Sequence, residues 1–322
     1  MSIHHKPRPP VELQILENLN VRMNLSTDDQ LTYKNLKKGY LGELKFARML
    51  EKTLSKPPLL LYDLSLQLNN SKFQIDCLPI FNNKILLLEI KNFEGDFYFH
   101  NDNWHVVETR KEIRSPLMQL KRSELLLKEL IQKLGYKIQI ESYVIFVNQE
   151  FTLYQAPINS SIILPTQVNR FIKKLNNQPA IPDRHQTKLS KQLTDLHLPD
   201  STHTNVPEYS YENLRKGIVC RYCSTYISLS NNTNILCKVC DRKEKIRAAI
   251  LRSIVEFKLL FPDRKITTSI IYDWCGGIVS KKVVRKTLQD NLRPSGKGRN
   301  VHYVFTAKPP PKSLFSWEKD FN

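Results

Sequence analysis

Two carboxylates and a lysine, Asp76, Glu89 and Lys91, stand inside segments that are otherwise apolar. Residues 73–81 and 84–92 have the composition of buried strands, and the Asn82-Asn83 pair between them predicts a tight turn. Asp76 comes six residues before that turn and Glu89 six residues after it, so a hairpin sets the two carboxylates opposite each other. Lys91 falls on the same strand face as Glu89.

Such a charged group costs free energy on a buried sheet face unless a cation satisfies it. Carboxylate oxygens suit Mg²⁺ or Mn²⁺, and a metal held there could polarise a phosphate and lower the pKa of a bound water. Lys91 could orient that water or stabilise charge on the phosphorane. The spacing thus indicates a hydrolytic metal site, the alternative being an edge strand whose alternating charges are solvated.

Four of the six cysteines form two Cys-x-x-Cys pairs, Cys220 with Cys223 and Cys237 with Cys240. This spacing is typical of a zinc ribbon, in which four thiolates enclose a structural Zn²⁺. The basic, proline-rich residues 1–10 do not resemble an export signal, so we expect metal ligands rather than disulfides, with redox pairs as the alternative.

The elements that must position the acidic residues follow from periodicity. A helix over residues 41–54 precedes strands at 59–68, 73–81 and 84–92, and short strands follow near 97–99 and 104–107. Ser115-Pro116 opens a long helix that Gly135 ends, with Ser115 as its cap, and residues 138–147 form another strand. The order α-β-β-β-α-β predicts an α/β fold with a mixed sheet flanked by helices.

The C-terminal third has the pattern of a helix-turn-helix with a basic hairpin, as in an α+β winged-helix module. Thr267 or Thr268 caps a first short helix, Gly276-Gly277 turns the chain, and Ser280 caps a second helix. We expect DNA contacts from basic residues of that helix and of the hairpin, namely Lys281, Lys282, Arg285, Lys286, Lys297 and Arg299. The alternative is a solvated charged helix beside a hairpin.

Charge distribution supports a polyanionic partner. The net charge is +18, and residues 211–312 hold 21 Lys and Arg against 7 Asp and Glu. Nucleic acid is the expected partner of such a block, an anionic membrane surface or a merely basic soluble domain being the alternatives. No apolar run approaches the length of a membrane span, so we expect a cytoplasmic protein with no membrane contact.

The stretch from about residue 35 to 150 resembles the nuclease-related (NERD) domain of the PD-(D/E)xK nuclease superfamily. The resemblance rests on four pieces in order: residues 39–43 (GYLGE), 74–76 (QID), 88–92 (LEIKN, with Gly95) and 115–119 (SPLMQ). Ile75 replaces the proline of the superfamily's literal motif, as in the nuclease-related subgroup.

This resemblance implies a restriction-endonuclease-like core and a role for each matching residue. Asp76 and Glu89 would hold the metal with the Ile90 carbonyl as a further ligand, and Lys91 would be the catalytic lysine. Glu43 would be an additional carboxylate that binds metal or positions water, and Gln119 would face the site from the long helix. An exposed helix-start glutamate and a surface glutamine are the alternative interpretations of these last two residues.

The sequence therefore predicts a Mg²⁺- or Mn²⁺-dependent DNA phosphodiesterase with a zinc ribbon and a winged-helix-like module. RNA as the substrate and a non-catalytic DNA-binding regulator remain alternatives, and no protein partner is indicated. The predicted boundaries are 1–36 (helical extension), 37–175 (nuclease-like domain), 176–211 (linker), 212–243 (ribbon), 244–308 (winged helix) and 309–322 (tail).

Overall fold

The computed structural model describes residues 7–101, 103–158, 161–178, 183–198, 205–227 and 233–305, except the Arg299 side chain. The predicted tail, 309–322, therefore lies outside the described residues. The chain divides into two units: Met1–Pro10 with Lys34–Thr204, and Val11–Tyr33 with Asn205–Asn322. Helix α1 (Val11–Arg22) thus belongs to the second unit, and the long helix α2 (Thr27–Thr53) is divided between the two.

The described residues of the first unit form two sheets and, besides α2, three helices. The strands are β1 (Leu59–Leu68), β2 (Ser71–Ile80), β3 (Lys84–Lys91), β4 (Gly95–His100), β5 (Asn103–Val106), β6 (Glu112–Ile113), β7 (Gln139–Phe146), β8 (Phe151–Tyr154) and β9 (Ile162–Ile163). The helices are α3 (Pro116–Lys133), α4 (Pro165–Leu175) and α5 (Arg184–Asp195).

The main sheet has the strand order β1-β2-β3-β7-β9. Its first three strands are antiparallel, whereas β3, β7 and β9 run parallel to one another. A second sheet has the order β6-β5-β4-β8, with β4 and β8 parallel. The mixed sheet and the helix–strand order confirm the predicted α/β fold class.

Helices cover both faces of the main sheet. Leu50 of α2 and Ile172 of α4 pack on one face, against Leu86 and Leu88. Helices α3 and α5 pack on the other face. Burial on both faces explains why β3 is almost continuously apolar, and it makes a charge inside that strand costly.

Two local predictions differ from the structure. Ser115 occupies the N-cap position of α3, but its side chain makes no capping hydrogen bond within the described chain, and Pro116 at the first helical position fixes the start instead. Helix α5 lies in the segment interpreted as a linker, where Leu189 and Leu193 are buried in the core. Its Asp183 cap accepts hydrogen bonds from the backbone N–H groups of His185 and Gln186.

The second unit joins α1 to the C-terminal elements. These are β10 (Asn234–Leu236), β11 (Lys243–Lys245), α6 (Ile246–Leu260), α7 (Thr268–Trp274), α8 (Lys281–Asn291), β12 (Arg293–Ser295), a 3-10 turn (Gly298–Asn300) and β13 (His302–Val304). Strands β12 and β13 form an antiparallel hairpin, and Ile266 bridges to Tyr303 beside it.

The predicted caps and glycine turn are present at the ends of α7 and α8. The Thr267 hydroxyl accepts from the Ile270 N–H and the Ser280 hydroxyl from the Val283 N–H, at 3.2 and 3.4 Å. Gly276 and Gly277 both have positive φ, which glycine tolerates without strain. The result is the predicted helix-turn-helix followed by a wing-like hairpin.

Candidate active site and zinc centre

The acidic group, which consists of Asp76, Glu89 and Glu43, lies next to the last paired residues of β2 and β3. Cys77 pairs with Leu88, which places Asp76 opposite Glu89 as the spacing around the turn predicts. The Asp76 carboxylate accepts a hydrogen bond from the Ile90 backbone N–H at 2.7 Å. This bond holds Asp76 against β3 through the backbone N–H of Ile90. That the carbonyl of Ile90 binds a metal stays a prediction.

Glu89, Lys91 and Gln119 form a closed hydrogen-bonded triangle. Lys91 Nζ donates to Glu89 Oε1 at 2.7 Å and to Gln119 Oε1 at 3.1 Å, and Gln119 Nε2 donates to the same Glu89 oxygen at 2.5 Å. Glu89 is only 2% exposed. Helix α3 thus presents Gln119 to both charged groups, which holds the carboxylate and the ammonium in a fixed geometry.

Gly42 allows α2 to approach the end of β3. A Cβ at Gly42 would lie 2.6 Å from Asn92 Cβ, closer than van der Waals packing allows. The Asn92 amide donates to the Lys38 carbonyl at 2.7 Å and joins the same helix to the strand end. The next residue, Glu43, is thereby brought to the acidic group, and sequence position alone could not distinguish this from an exposed helix start.

Glu43 is electrostatically connected to the other charged residues. Burial and, to a smaller extent, the negative charges of Asp63 and Glu89 raise the pKa of Glu43 to about 7, against the opposing effect of Lys91. The pKa of Asp76 is also well above its usual range, because burial and the charges of Glu89 and Glu43 outweigh the Ile90 hydrogen bond and Lys91. With Asp76, Glu89 and Glu43 all ionised, these residues would therefore carry more negative charge than the protein neutralises.

Asp63 of β1 is an acidic residue that the sequence analysis missed. It has a left-handed backbone, φ 50°, where the β1–β2 pairing lapses between Tyr62–Cys77 and Leu64–Ile75. That register sets Asp63 opposite Asp76, and Gln74 Nε2 donates to its carboxylate at 2.9 Å. An aspartate in the apolar run of residues 59–64 was the available signal.

The donor set fits a hard divalent cation. Carboxylate oxygens are the ligands that Mg²⁺ and Mn²⁺ prefer. A bound cation would offset the repulsion between ionised carboxylates that contributes to the raised pKa values of Glu43 and Asp76. Throughout the described ranges, however, only one group of three or more potential ligands has all its ligand atoms within 4.8 Å of one another. That group is the four cysteines, so the carboxylates are more widely spaced.

The four cysteines of the second unit could hold a metal ion. The Sγ atoms of Cys220 and Cys240 are 3.7 Å apart, and those of Cys223 and Cys237 are 3.4 Å apart. The Tyr222 N–H donates to the Cys220 sulfur at 3.4 Å, as in a knuckle turn. Four thiol ligands suit a closed, tetrahedral structural Zn²⁺ site.

The predicted DNA-contact residues lie on α8 and the wing. Lys281, Lys282, Arg285 and Lys286 are exposed, whereas Val284 and Leu288 on the opposite side of α8 are fully buried. Lys297 is exposed in the wing. The Arg299 side chain lies outside the described residues.

Comparison with known proteins gives one match. The family model of the nuclease-related domain (NERD) matches residues 38–147, about a third of the chain. This region is therefore a nuclease-related domain with a restriction-endonuclease-like fold, which confirms the resemblance. It contains Glu43, Asp76, Glu89, Lys91 and Gln119. Searches of curated proteins and of solved structures found no match. In the described chain, no helix is both long and apolar enough to span a membrane.

Proposed function

We propose that the chain is a metal-dependent phosphodiesterase that hydrolyses DNA and that its second unit holds the DNA. The observation that carries the proposal is the Glu89–Lys91–Gln119 triangle beside Asp76 and Glu43, within a nuclease-related domain. A buried carboxylate hydrogen-bonded to a half-buried lysine and amide, beside two carboxyls with raised pKa values, is a set of groups that suits phosphodiester hydrolysis with a divalent cation.

Each residue has a distinct proposed role. Asp76 and Glu89, with the Ile90 carbonyl, would hold Mg²⁺ or Mn²⁺, which when bound polarises the phosphate and acidifies a water. Lys91 would stabilise negative charge on the phosphate oxygens or orient the attacking water. Gln119 would act as a positioning residue through Glu89 and Lys91. Glu43 would position the attacking water or accept its proton, because its raised pKa favours proton binding near neutral pH.

The second unit would supply affinity. Lysines and arginines along one side of α8 can neutralise phosphates while the helix enters the major groove, and Lys297 and Arg299 of the wing can bind the adjacent backbone. These contacts would hold substrate independently of the carboxylates. Binding and cleavage should therefore be separable by substitution.

The test is cleavage of supercoiled, linear and single-stranded DNA with Mg²⁺, with Mn²⁺ or without either metal. Glu89→Ala and Lys91→Ala should each reduce metal-dependent cutting by roughly a hundredfold or more while DNA binding persists. Lys84→Ala is the matched control, because Lys84 lies in the same strand and pairs with Glu141 instead, at 3.0 Å. It should cut like the wild type.

The contrary outcomes separate the alternatives. Cutting that survives both substitutions would disprove the assigned site. Tight DNA binding without cutting under either metal would favour a non-catalytic DNA-binding protein with a nuclease-like scaffold. Faster cutting of a ribose-containing strand of the same sequence would identify RNA as the substrate.

A further inference from the structure

The loops of the two Cys-x-x-Cys pairs expose apolar side chains beside basic residues. We define the knuckle surface as Arg221, Tyr222, Lys238, Val239 and Arg242. Tyr222 and Val239 are 38% and 67% exposed. Each is the second residue between the cysteines of its pair, and each follows a basic residue, so the two loops repeat one pattern.

The exposed parts of these side chains lie outside the buried core of the ribbon. The ribbon already buries Ile218, Ile227 and Ile235, which are 0%, 6% and 1% exposed. The two loops are held together by the cysteines, whose ligand atoms all lie within 4.8 Å of one another. Tyr222 and Val239 thus leave apolar surface in water on a small, metal-organised scaffold.

Arginines accompany the aromatic ring. The guanidinium carbon of Arg242 lies 4.7 Å from the centroid of the Tyr222 ring and that of Arg221 lies 5.5 Å from it. Residues 221–243 carry four basic side chains against one acidic side chain, Asp241. An exposed ring flanked by cations fits a polyanion that also offers flat π surfaces.

We propose that the knuckle surface binds single-stranded nucleic acid, with an unpaired base stacked on Tyr222 and the neighbouring phosphates held by Arg242, Arg221 and Lys238. An intact duplex keeps its bases stacked inside and offers this surface little except phosphate, whereas an unpaired strand exposes the base faces that a tyrosine can stack on. The inference rests on the proposed function insofar as both assign nucleic-acid binding to the second unit; it does not require cleavage.

The experiment measures fluorescence anisotropy with the zinc-loaded full chain without added Mg²⁺ or Mn²⁺. The probes are a labelled oligothymidine and a labelled duplex of equal length. Tyr222→Ala should weaken single-strand binding about tenfold and leave duplex binding nearly unchanged, whereas Tyr222→Phe should retain single-strand binding because it keeps the ring. Tyr154→Ala, which removes a 52% exposed tyrosine from the first unit, is the matched control and should change neither.

Zinc content of each variant identifies a disrupted ribbon, and a crosslink from a thiothymidine probe to Tyr222, located by mass spectrometry, keeps the test valid if Tyr222→Ala loses metal. Unchanged single-strand binding by Tyr222→Ala, or equal losses for single strand and duplex, would overturn the inference. So would a Tyr222→Phe variant as weak as Tyr222→Ala, because stacking would then not be the source of affinity.

Failure of the proposed function gives a different pattern. If the wild type binds the single strand through Tyr222 but does not bind the duplex, docking of the winged helix on DNA is disproved. The assignment of the knuckle surface is then still supported. Absence of wild-type binding to both probes would overturn both assignments, while cutting by the first unit is tested separately through Glu89.

Discussion

Each unit contains a buried charged cluster, and the two are neutralised to different extents. In the second unit, Arg22 is fully buried and donates to both carboxylate oxygens of Glu256 at 2.6 and 2.8 Å. It also donates to the carbonyls of Arg215 and Gly217 and lies 3.9 Å from the centroid of the Trp274 ring. Burial lowers the pKa of Arg22, but Glu256 together with Tyr226 and Cys275 raises it on balance, so the guanidinium stays charged beside Glu256.

The cluster of the first unit is not satisfied in this way. Lys91 donates to Glu89 and lowers the pKa values of Asp76 and Glu43, yet both of these values remain raised. The satisfied pair suits a structural role, because all its hydrogen bonds are made by the fold. The unsatisfied cluster suits a binding role, because an added cation would remove repulsion that the fold retains.

The largest expected effect comes from breaking the satisfied pair. Arg22→Ala leaves Glu256 buried without its cation and should destabilise the second unit by about 3–5 kcal/mol. The control is Arg247→Ala, which removes an exposed ion pair with Asp290 and should cost under about 1 kcal/mol. Urea unfolding followed by far-UV circular dichroism and by tryptophan fluorescence, to which Trp274 contributes, measures both; equal losses for the two variants would contradict the structural role.

A smaller effect should follow from moving α2 away from β3. Gly42→Ala places a methyl 2.6 Å from Asn92 Cβ and should destabilise the first unit by about 1–3 kcal/mol, with a fall in cleavage because Glu43 shifts. Gly39→Ala is the matched control, since a Cβ there has nothing within 4 Å; it should be neutral or stabilising by about 0.5–1 kcal/mol. If both substitutions changed the free energy of unfolding equally, the close approach of α2 to Asn92 would not contribute to stability.

The smallest effect should come from Glu43→Gln, which should stabilise the first unit rather than destabilise it. The folded-state pKa of Glu43, about 7, exceeds its unfolded value near 4.5, so its contribution to stability is present in acid and is lost as pH rises through about 7. Without added Mg²⁺ or Mn²⁺, Glu43→Gln should therefore stabilise the first unit at pH 8, by on the order of 1–2 kcal/mol, but not at pH 4.

Urea titrations at the two pH values measure this difference, and Glu129→Gln on the exposed face of α3 is the control. A destabilised Glu43→Gln protein at pH 8 would show that the carboxylates are already satisfied. Added Mg²⁺ should reduce the advantage of the variant, because a bound cation favours the ionised glutamate.

The sequence predicted the parts of the fold that local pattern determines. Alternation around Asn82-Asn83 was sufficient to set Asp76 opposite Glu89, and Ser280 and Gly276-Gly277 were sufficient for the helix-turn-helix. Asp63 was missed because its effect on Glu43 depends on tertiary structure and on a left-handed backbone within a strand, which spacing in the sequence does not indicate. The Arg22–Glu256 pair spans 234 residues, and periodicity carries no information about contacts at that separation.

That separation also has a consequence for synthesis of the chain. Ile15, Leu19 and Arg22 of α1 are synthesised well before the α6 residues with which they pack, because residues 34–204 of the first unit lie between them. At about 5–20 residues per second, the wait is on the order of ten seconds or more. During that time the α1 segment lacks the apolar residues and the glutamate with which it packs in the folded protein. The second unit can therefore complete its core only late in translation.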